Sequence, residues 1–431
     1  MNKQASFSDY IKYALVRSFG FIISLLSIKI IHSIAKGLSP LFYYFYKPGV
    51  KQVMSNLSLA TKMKLSLKQK KILCKQSFEN LIIILLEYFK LSQFKSNIEK
   101  IIVCENPKKL DDLIKTYGSV VFACGHQSNW ELPFLYITKR YPTIAVGTPV
   151  NNPLLYKWIL SIRQMFKGEV IVPKGAVKKC VQALSQGKSA ALVFDQAYPD
   201  STYSYPLLGC RAWTTLGPAV ISYRSKKPLI MISTQRRHNR YYCKFHDPIF
   251  PDFDLDIKIA CPKSMQQLMQ ALEFDIMKSP HEWLWVHNRW KQVGVNFIPR
   301  RFRHSKVLVI LPEDMKEFYL SLKILKVLQE IYSKSFISVF VPKARTEAQH
   351  NFPSSIEVKI YSYTKDILIE DWATQIVFDL SNKENIKRHY LKRSAFEVLN
   401  LNDLDCLASQ RLGYKKDLEA QKKVTLALSR K

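Results

Sequence analysis

The sequence is poor in acidic residues, with 34 Asp and Glu against 65 Lys and Arg and a formal net charge of +31 at pH 7. A charge of this size attracts polyanions, which include nucleic acids, anionic membrane leaflets and acidic proteins. The basic residues are spread along the whole chain, and no helix-turn-helix, zinc or RNP-type signature accompanies them. The sequence therefore favours an anionic membrane or an acidic partner, and we expect no nucleic acid partner.

Clustered metal ligands are also lacking. The eight cysteines are scattered, with no C-x-x-C pair and no Cys/His cluster at zinc spacing. We therefore expect reduced thiols and no metal site. At 47% hydrophobic residues, the chain has enough apolar material to fold around a sizeable core.

An apolar run without charged residues lies near the amino terminus, from Ser18 to Ile28, and the apolar stretch continues past Lys29 to Ala35. Its length is at the short end of the range for a spanning helix. No small-residue cleavage site follows it, so a cleaved signal peptide is not expected. The flanking Lys and Arg residues favour the cytoplasmic face and anionic lipid. Residues 1–50 are thus predicted to anchor the chain through one hydrophobic helix, spanning or in-plane.

Apolar runs typical of strands alternate with helical patterns between residues 118 and 233, which predicts an α/β sandwich around a largely parallel sheet. A new strand–helix–strand pattern starts after about residue 303. We therefore divide the chain into an anchoring segment (1–50), a catalytic domain (51–302) and a small α/β carboxy-terminal extension of unknown role (303–431).

The candidate catalytic residues lie directly after a predicted strand, where His126 is followed five residues later by Glu131. On one continuous helix this spacing separates two side chains by about 140°, so they could not meet. They can meet if a helix begins between them, with Ser128 or Asn129 as its N-cap. A carboxylate held against one imidazole nitrogen leaves the other free to act as a general base. The alternative is a structural histidine at a helix start.

The segment Gly125–Glu131 resembles the H-x-x-x-x-D/E motif of glycerolipid acyltransferases, and its Gly-His-x-x-Asn-Trp-Glu form is similar to the lipid A late acyltransferases, the lauroyl and myristoyl transferases. The resemblance extends over roughly residues 10–303. Further similar blocks follow in order: 50–60, 146–149, 152–153, 163, 168, 173–175, 195–196, 206–209, 214–219 and 282–291.

The resemblance implies a glycerolipid-acyltransferase-like α/β sandwich at the cytoplasmic face of the cell inner membrane. The donor would be a fatty acyl thioester on acyl carrier protein, and the acceptor a hydroxyl of a Kdo-bearing, phosphorylated lipid A precursor. His126 would be the general base and Glu131 would orient it, without a cofactor. The substrate-binding residues implied are Asn129, Arg163, Asp195, Gln196, Arg289 and Lys291.

Two departures from the family pattern leave the acceptor open. Residues 197–205 lack the usual glycines, and Asn288 stands where the family usually has a second Arg. The same chemistry could act on another glycolipid or a lysophospholipid. An alternative of another class is a non-enzymatic basic protein that binds a membrane or nucleic acid. For Arg163 and Asp195, a purely structural role also stays open.

Overall fold

The computed structural model describes residues 4–291, 298–413 and 419–429. The α-helices are α1 (Phe7–Leu25), α2 (Ile28–Phe45), α3 (Lys47–Leu59), α4 (Leu67–Glu87), α5 (Pro107–Tyr117), α6 (Glu131–Arg140), α7 (Pro153–Arg163), α8 (Ala176–Ser185), α9 (Gly217–Ser225), α10 (Ile257–Lys278), α11 (Met315–Ile331), α12 (Thr364–Ile367), α13 (Ile386–Leu391), α14 (Leu401–Leu412) and α15 (Ala420–Leu428). Short 3-10 helices lie at Thr61–Met63, Tyr88–Phe94, Ile98–Lys100, Pro280–Glu282, Arg300–Phe302 and Lys343–Asn351.

The strands are β1 (Ile102–Cys104), β2 (Val121–Cys124), β3 (Thr143–Val146), β4 (Gly168–Ile171), β5 (Ser189–Val193), β6 (Ser204–Leu207), β7 (Cys210–Trp213), β8 (Leu229–Arg237), β9 (Arg240–Phe245), β10 (Lys306–Ile310), β11 (Phe336–Pro342), β12 (Ile356–Tyr361), β13 (Ile376–Asp379) and β14 (Glu397–Asn400). They belong to two compact units. The first unit comprises residues 1–45, 72–196 and 215–284, and the second comprises 46–71, 197–214 and 285–431.

The first unit is built on a seven-stranded sheet in the order β1-β9-β8-β2-β5-β3-β4. Neighbouring strands are parallel except β8 and β9, which form an antiparallel pair. Helices connect the parallel strands, as crossover connections require. Phe122 of β2, Leu135 of α6 and Ile230 of β8 are buried in one core cluster. The predicted α/β fold with a largely parallel sheet is confirmed.

The amino-terminal apolar stretch is divided between two helices rather than forming the single helix expected. Helix α1 ends at Leu25, and the Ser27 hydroxyl then accepts a hydrogen bond from the Ile30 amide, which caps the start of α2. The chain bends by 119° between the two helices. Within the described ranges, neither helix alone has the length and apolarity of a membrane span, whereas the bent pair together does.

The second unit contains a five-stranded parallel sheet in the order β12-β11-β10-β13-β14 and the antiparallel hairpin β6–β7. Alternate residues of the central strand β10 enter two core clusters: Val307 and Val309 pack with α11, α14 and α15, while Leu308 and Ile310 pack with α12 and α13. The sheet is therefore covered on both faces, as parallel sheets usually are. The predicted carboxy-terminal α/β unit is confirmed.

This second unit takes in more of the chain than the expected extension 303–431. Helix α3 is joined to it by polar contacts: the buried Ser55 hydroxyl donates to Ala373 O at 2.8 Å, and the Lys51 ammonium donates to Ala395 O at 2.6 Å. A buried hydroxyl needs such a partner, which ties α3 to the carboxy-terminal sheet. The boundary at 303 as a functional division stays a prediction, and residues 292–297 of the expected catalytic domain lie outside the described residues.

Candidate active site

The site of the first unit lies at the carboxyl ends of two neighbouring parallel strands, β2 and β5. Their register pairs Cys124 with Val193, the last residue of each strand. His126 and Asp195 each stand two positions further on, so the sheet places them side by side. A Cβ atom at position 125 would lie 2.5 Å from the Leu272 side chain and 3.1 Å from Asp195 Oδ2, so glycine allows the backbone to pass close to both.

Asp195 is the residue that holds the His126 ring. Its Oδ1 lies 2.6 Å from His126 Nδ1, while its Oδ2 accepts hydrogen bonds from the His126 amide at 2.8 Å and from Trp283 Nε1 at 2.7 Å. Burial alone would raise the pKa of this carboxyl, but the neighbouring His126 and these hydrogen bonds outweigh it and hold the pKa well below its usual value. Asp195 is therefore a carboxylate at neutral pH.

A carboxylate against Nδ1 fixes the proton of a neutral imidazole on that nitrogen. His126 Nε2 is then a proton acceptor, and the Gln196 amide approaches it at 3.4 Å. The Trp130 ring lies edge-on to the imidazole, with 4.8 Å between ring centroids. With 14% of its side chain exposed, His126 can still meet a reactant.

The sequence predicted a contact between Glu131 and His126, but in the structure Glu131 binds Arg163 instead. Both of its carboxylate oxygens accept hydrogen bonds from Arg163, at 2.9 Å from Nε and 2.5 Å from Nη2. Burial would lower the pKa of Arg163, but Glu131 outweighs it and raises the pKa above the usual value. Glu131 is the first residue of α6, and its carboxylate contacts Arg163, the last residue of α7.

The loop between β2 and α6 is held by backbone contacts with the segment that follows α10. The Ser128 amide donates to Glu282 O at 2.8 Å, and the Leu284 amide donates to His126 O at 3.0 Å. Ser128 adopts the left-handed conformation, with φ 54°. The sequence predicted Ser128 or Asn129 as the N-cap of α6. In the structure the N-cap is Trp130, whose side chain makes no capping hydrogen bond.

Asn129 belongs to a buried network around Glu87. The Asn129 amide donates to Glu87 Oε2 at 3.1 Å, and Tyr241 OH donates to the same oxygen at 2.5 Å. His32 of α2 contacts Glu87 Oε1 at 2.6 Å. The Asn129 Oδ1 atom is buried and accepts no hydrogen bond from any residue that the structure describes. Nothing in the sequence pattern singled out Glu87, Tyr241 or His32.

Two of the expected substrate-binding residues, Arg289 and Lys291, belong to the second unit. Arg289 is buried, and its guanidinium donates to Trp213 O at 3.0 Å and to Thr214 Oγ1 at 2.6 Å. These contacts join Arg289 to the end of β7, and its expected role in substrate binding stays a prediction. Lys291 instead lines a cleft. Over the described part of the chain, no group of three or more His, Cys, Asp or Glu side chains could hold a metal ion.

Comparison with known proteins identifies the family. Residues 1–292 match the family described as bacterial lipid A biosynthesis acyltransferase. The chain belongs to this family. It is also similar to the lipid A biosynthesis palmitoleoyltransferase of Escherichia coli (strain K12) and to a lipid A biosynthesis acyltransferase of Shigella flexneri, with 25% identity over 153 residues in each case. Each match covers 35% of this chain and 48% of the relative, so the chain spans about half the length of the curated relatives it matches.

The predicted family is therefore confirmed, and with it membership of the acyltransferases. The matched region ends at residue 292, so the five-stranded sheet of the second unit lies beyond it. Two contacts of this acyltransferase escaped the sequence analysis: Asp195 with His126, and Trp283 with Asp195. The Asp-Gln pair after a buried strand was a signal for the first, since carboxyl ends of neighbouring parallel strands meet at one edge of a sheet.

Proposed function

We propose that this protein transfers a fatty acyl chain from an acyl carrier protein thioester to a hydroxyl of a phosphorylated, Kdo-bearing lipid A precursor. The observation that carries the proposal is the hydrogen bond between His126 Nδ1 and Asp195, which leaves Nε2 able to accept a proton. Membership of the family supports acyl transfer as the reaction and lipid A biosynthesis as its pathway.

In the proposed reaction, His126 Nε2 takes the proton of the acceptor hydroxyl as its oxygen attacks the thioester carbonyl carbon. The carbon–sulfur bond then breaks, and the imidazolium returns the proton to the departing thiolate. Asp195 keeps the ring oriented and stabilises the transient imidazolium. Glu131, held by Arg163, acts in this scheme through Arg163, which is a candidate for binding the donor. Gln196 and the buried Asn129 Oδ1 are candidates for contacting the substrates.

Membrane attachment is proposed through α1 and α2, at the cytoplasmic face of the inner membrane. Both helices expose large apolar side chains, including Phe7 and Phe45, each 81% exposed. Such surface is unusual on a solvated helix and suits the boundary of a bilayer. Salt washing should then release only part of the protein from anionic membranes. Complete release would contradict an apolar anchor.

The test is transfer by the full-length protein in detergent, with acyl carrier protein thioester as donor. One set of reactions offers a Kdo-bearing lipid A precursor and another a lysophospholipid, and mass spectrometry measures the product. We expect acylation of the first acceptor, and a loss of about 10²- to 10⁴-fold in rate for His126→Ala. Acylation of the lysophospholipid alone would favour the alternative acceptor. A His126→Ala protein with more than about a tenth of the wild-type rate would rule out the general base.

A further inference from the structure

Two cysteines lie opposite each other at one edge of the seven-stranded sheet of the first unit. β1 is the edge strand, and its parallel pairing with β9 places Cys104 directly across from Cys243. The Glu105 amide donates to Cys243 O at 2.9 Å, which holds this register. Both cysteine side chains lie on the same face of the sheet, since both pack in the core cluster that contains Phe122 and Ile230.

This arrangement suits a disulfide bond. Neighbouring strands lie about 4.8 Å apart, and the Cα atoms of disulfide-bonded cysteines are usually separated by about 4.4–6.8 Å. β1 is a short strand with one neighbour in the sheet, so its backbone can shift toward β9 more readily than that of a central strand. Among the described residues, the other cysteines in strands are Cys124 and Cys210, and their register partners are Val193 and Leu207. The register of β1 with β9 therefore pairs the two thiols with each other.

The two thiols have different surroundings. Cys104 is partly exposed, whereas Cys243 is fully buried. A hydrogen bond from the Cys243 thiol lowers the pKa of Cys104 despite its partial burial, and the Tyr136 hydroxyl and the Arg140 guanidinium act in the same direction. The same hydrogen bond and burial raise the pKa of Cys243. Cys104 is therefore the thiol that ionises first and meets a soluble oxidant, and Cys243 is in place to react with it next.

We propose that Cys104 and Cys243 form a reversible disulfide when the protein meets hydrogen peroxide. The Cys104 thiolate attacks one peroxide oxygen, the O–O bond breaks, and the departing hydroxide takes a proton from solvent. The Cys243 sulfur then attacks the sulfur of the Cys104 sulfenic acid, the S–O bond breaks, and hydroxide leaves with the Cys243 proton as water. Two thiols are thus oxidised and one peroxide is reduced to two water molecules. Both thiols are free in the structure, which corresponds to the reduced form.

The experiment exposes the full-length protein in detergent to a small molar excess of hydrogen peroxide. Iodoacetamide then blocks the remaining thiols, and mass spectrometry identifies linked peptides after digestion without reductant. Dimedone, added in a parallel reaction, traps sulfenic acid. The variants are Cys104→Ser and Cys243→Ser, and the matched control is Cys406→Ser, at an exposed cysteine on α14.

We expect the wild-type protein and Cys406→Ser to yield a disulfide-linked peptide that contains Cys104 and Cys243, and dithiothreitol to remove it. Cys104→Ser should yield no linked peptide, and Cys243→Ser should accumulate the dimedone adduct of Cys104 about tenfold above the wild-type level. His126→Ala should form the same disulfide, which separates this site from the catalytic proposal. Wild-type protein that accumulates the Cys104 adduct without the linked peptide would overturn the proposal. Oxidation of Cys406 in wild-type protein whose Cys104 stays reduced would overturn it as well.

Discussion

His126 Nδ1 lies 2.6 Å from Asp195 Oδ1, although the two residues are 69 positions apart in the chain. Each follows the end of a buried strand by two residues, and the two strands are parallel neighbours. The contact is thus produced by the pairing of β2 with β5. It gives the imidazole an orienting carboxylate that does not come from the contiguous H-x-x-x-x-E motif.

This relationship makes Asp195→Asn the most informative substitution. The amide cannot stabilise an imidazolium, and it can hold the ring in the wrong tautomer, so we expect kcat to fall about 10²- to 10⁴-fold with little change in KM. Asp112→Asn, at an exposed position on α5, is the matched control and should have wild-type activity. Steady-state kinetics measure both. A loss smaller than about tenfold for Asp195→Asn would mean that this contact does not serve catalysis.

Glu131→Gln should act mainly on stability, because it leaves the largely buried Arg163 charge without its partner. We expect the free energy of unfolding to fall by up to about 3 kcal/mol, and the double variant Glu131→Gln/Arg163→Met to recover most of it. Chemical denaturation measures these values. The exposed pair Glu99–Lys139 is the control, and Glu99→Gln should cost less than about 1 kcal/mol.

A different result would assign Glu131 to the reaction rather than to stability. If Glu131→Gln abolishes turnover while the free energy of unfolding is unchanged, Glu131 acts either directly on His126 or through Arg163, and equal loss of turnover in Arg163→Met would favour the second.

A chain that ends at Arg303 should fold poorly. It keeps α3 but removes the carbonyl partners of Ser55 and Lys51, which belong to Ala373 and Ala395. Each of these lost hydrogen bonds is worth about 0.5–1.5 kcal/mol, and most of the second unit is removed with them. Thermal unfolding and size-exclusion chromatography of the shortened protein should show a lower midpoint or aggregation. A monomeric product with the full-length midpoint and turnover would show that the catalytic domain ends at 303.

Stability should fall as the pH is lowered from about 6.5 to about 4, in part because of His304. Burial lowers the pKa of this imidazole from 6.5 to about 4 in the folded protein, so over this range the unfolded chain binds the proton and the folded chain does not. The contribution to stability is present above pH 6.5 and is lost, up to about 3 kcal/mol, by pH 4. Denaturation at several pH values should show a shallower pH dependence for His304→Gln.

The regular elements were largely predictable, because apolar runs of strand length alternate with helical patterns. β2 and β5 fall within the alternating region expected at 118–233, and β10 and α11 begin the pattern expected after residue 303. The partner of His126 was not predictable from spacing, since it depends on which strand lies beside β2. The hydrogen bonds of Arg289 to Trp213 and Thr214 were not predictable either, because a motif position does not show which way a guanidinium points. The expected role of Arg289 in substrate binding stays a prediction.

His126 and Asp195 each lie two residues after the end of a strand, and these fixed distances limit how related sequences can diverge. The interval between His126 and Asp195 contains loops and helices whose lengths can change without moving either residue, provided that the two strands still pair. An insertion between Cys124 and His126, or between Val193 and Asp195, would instead pull the two side chains apart. Distant relatives should therefore be aligned from the strand ends outward, with gaps placed in the connecting segments and none in those two-residue steps.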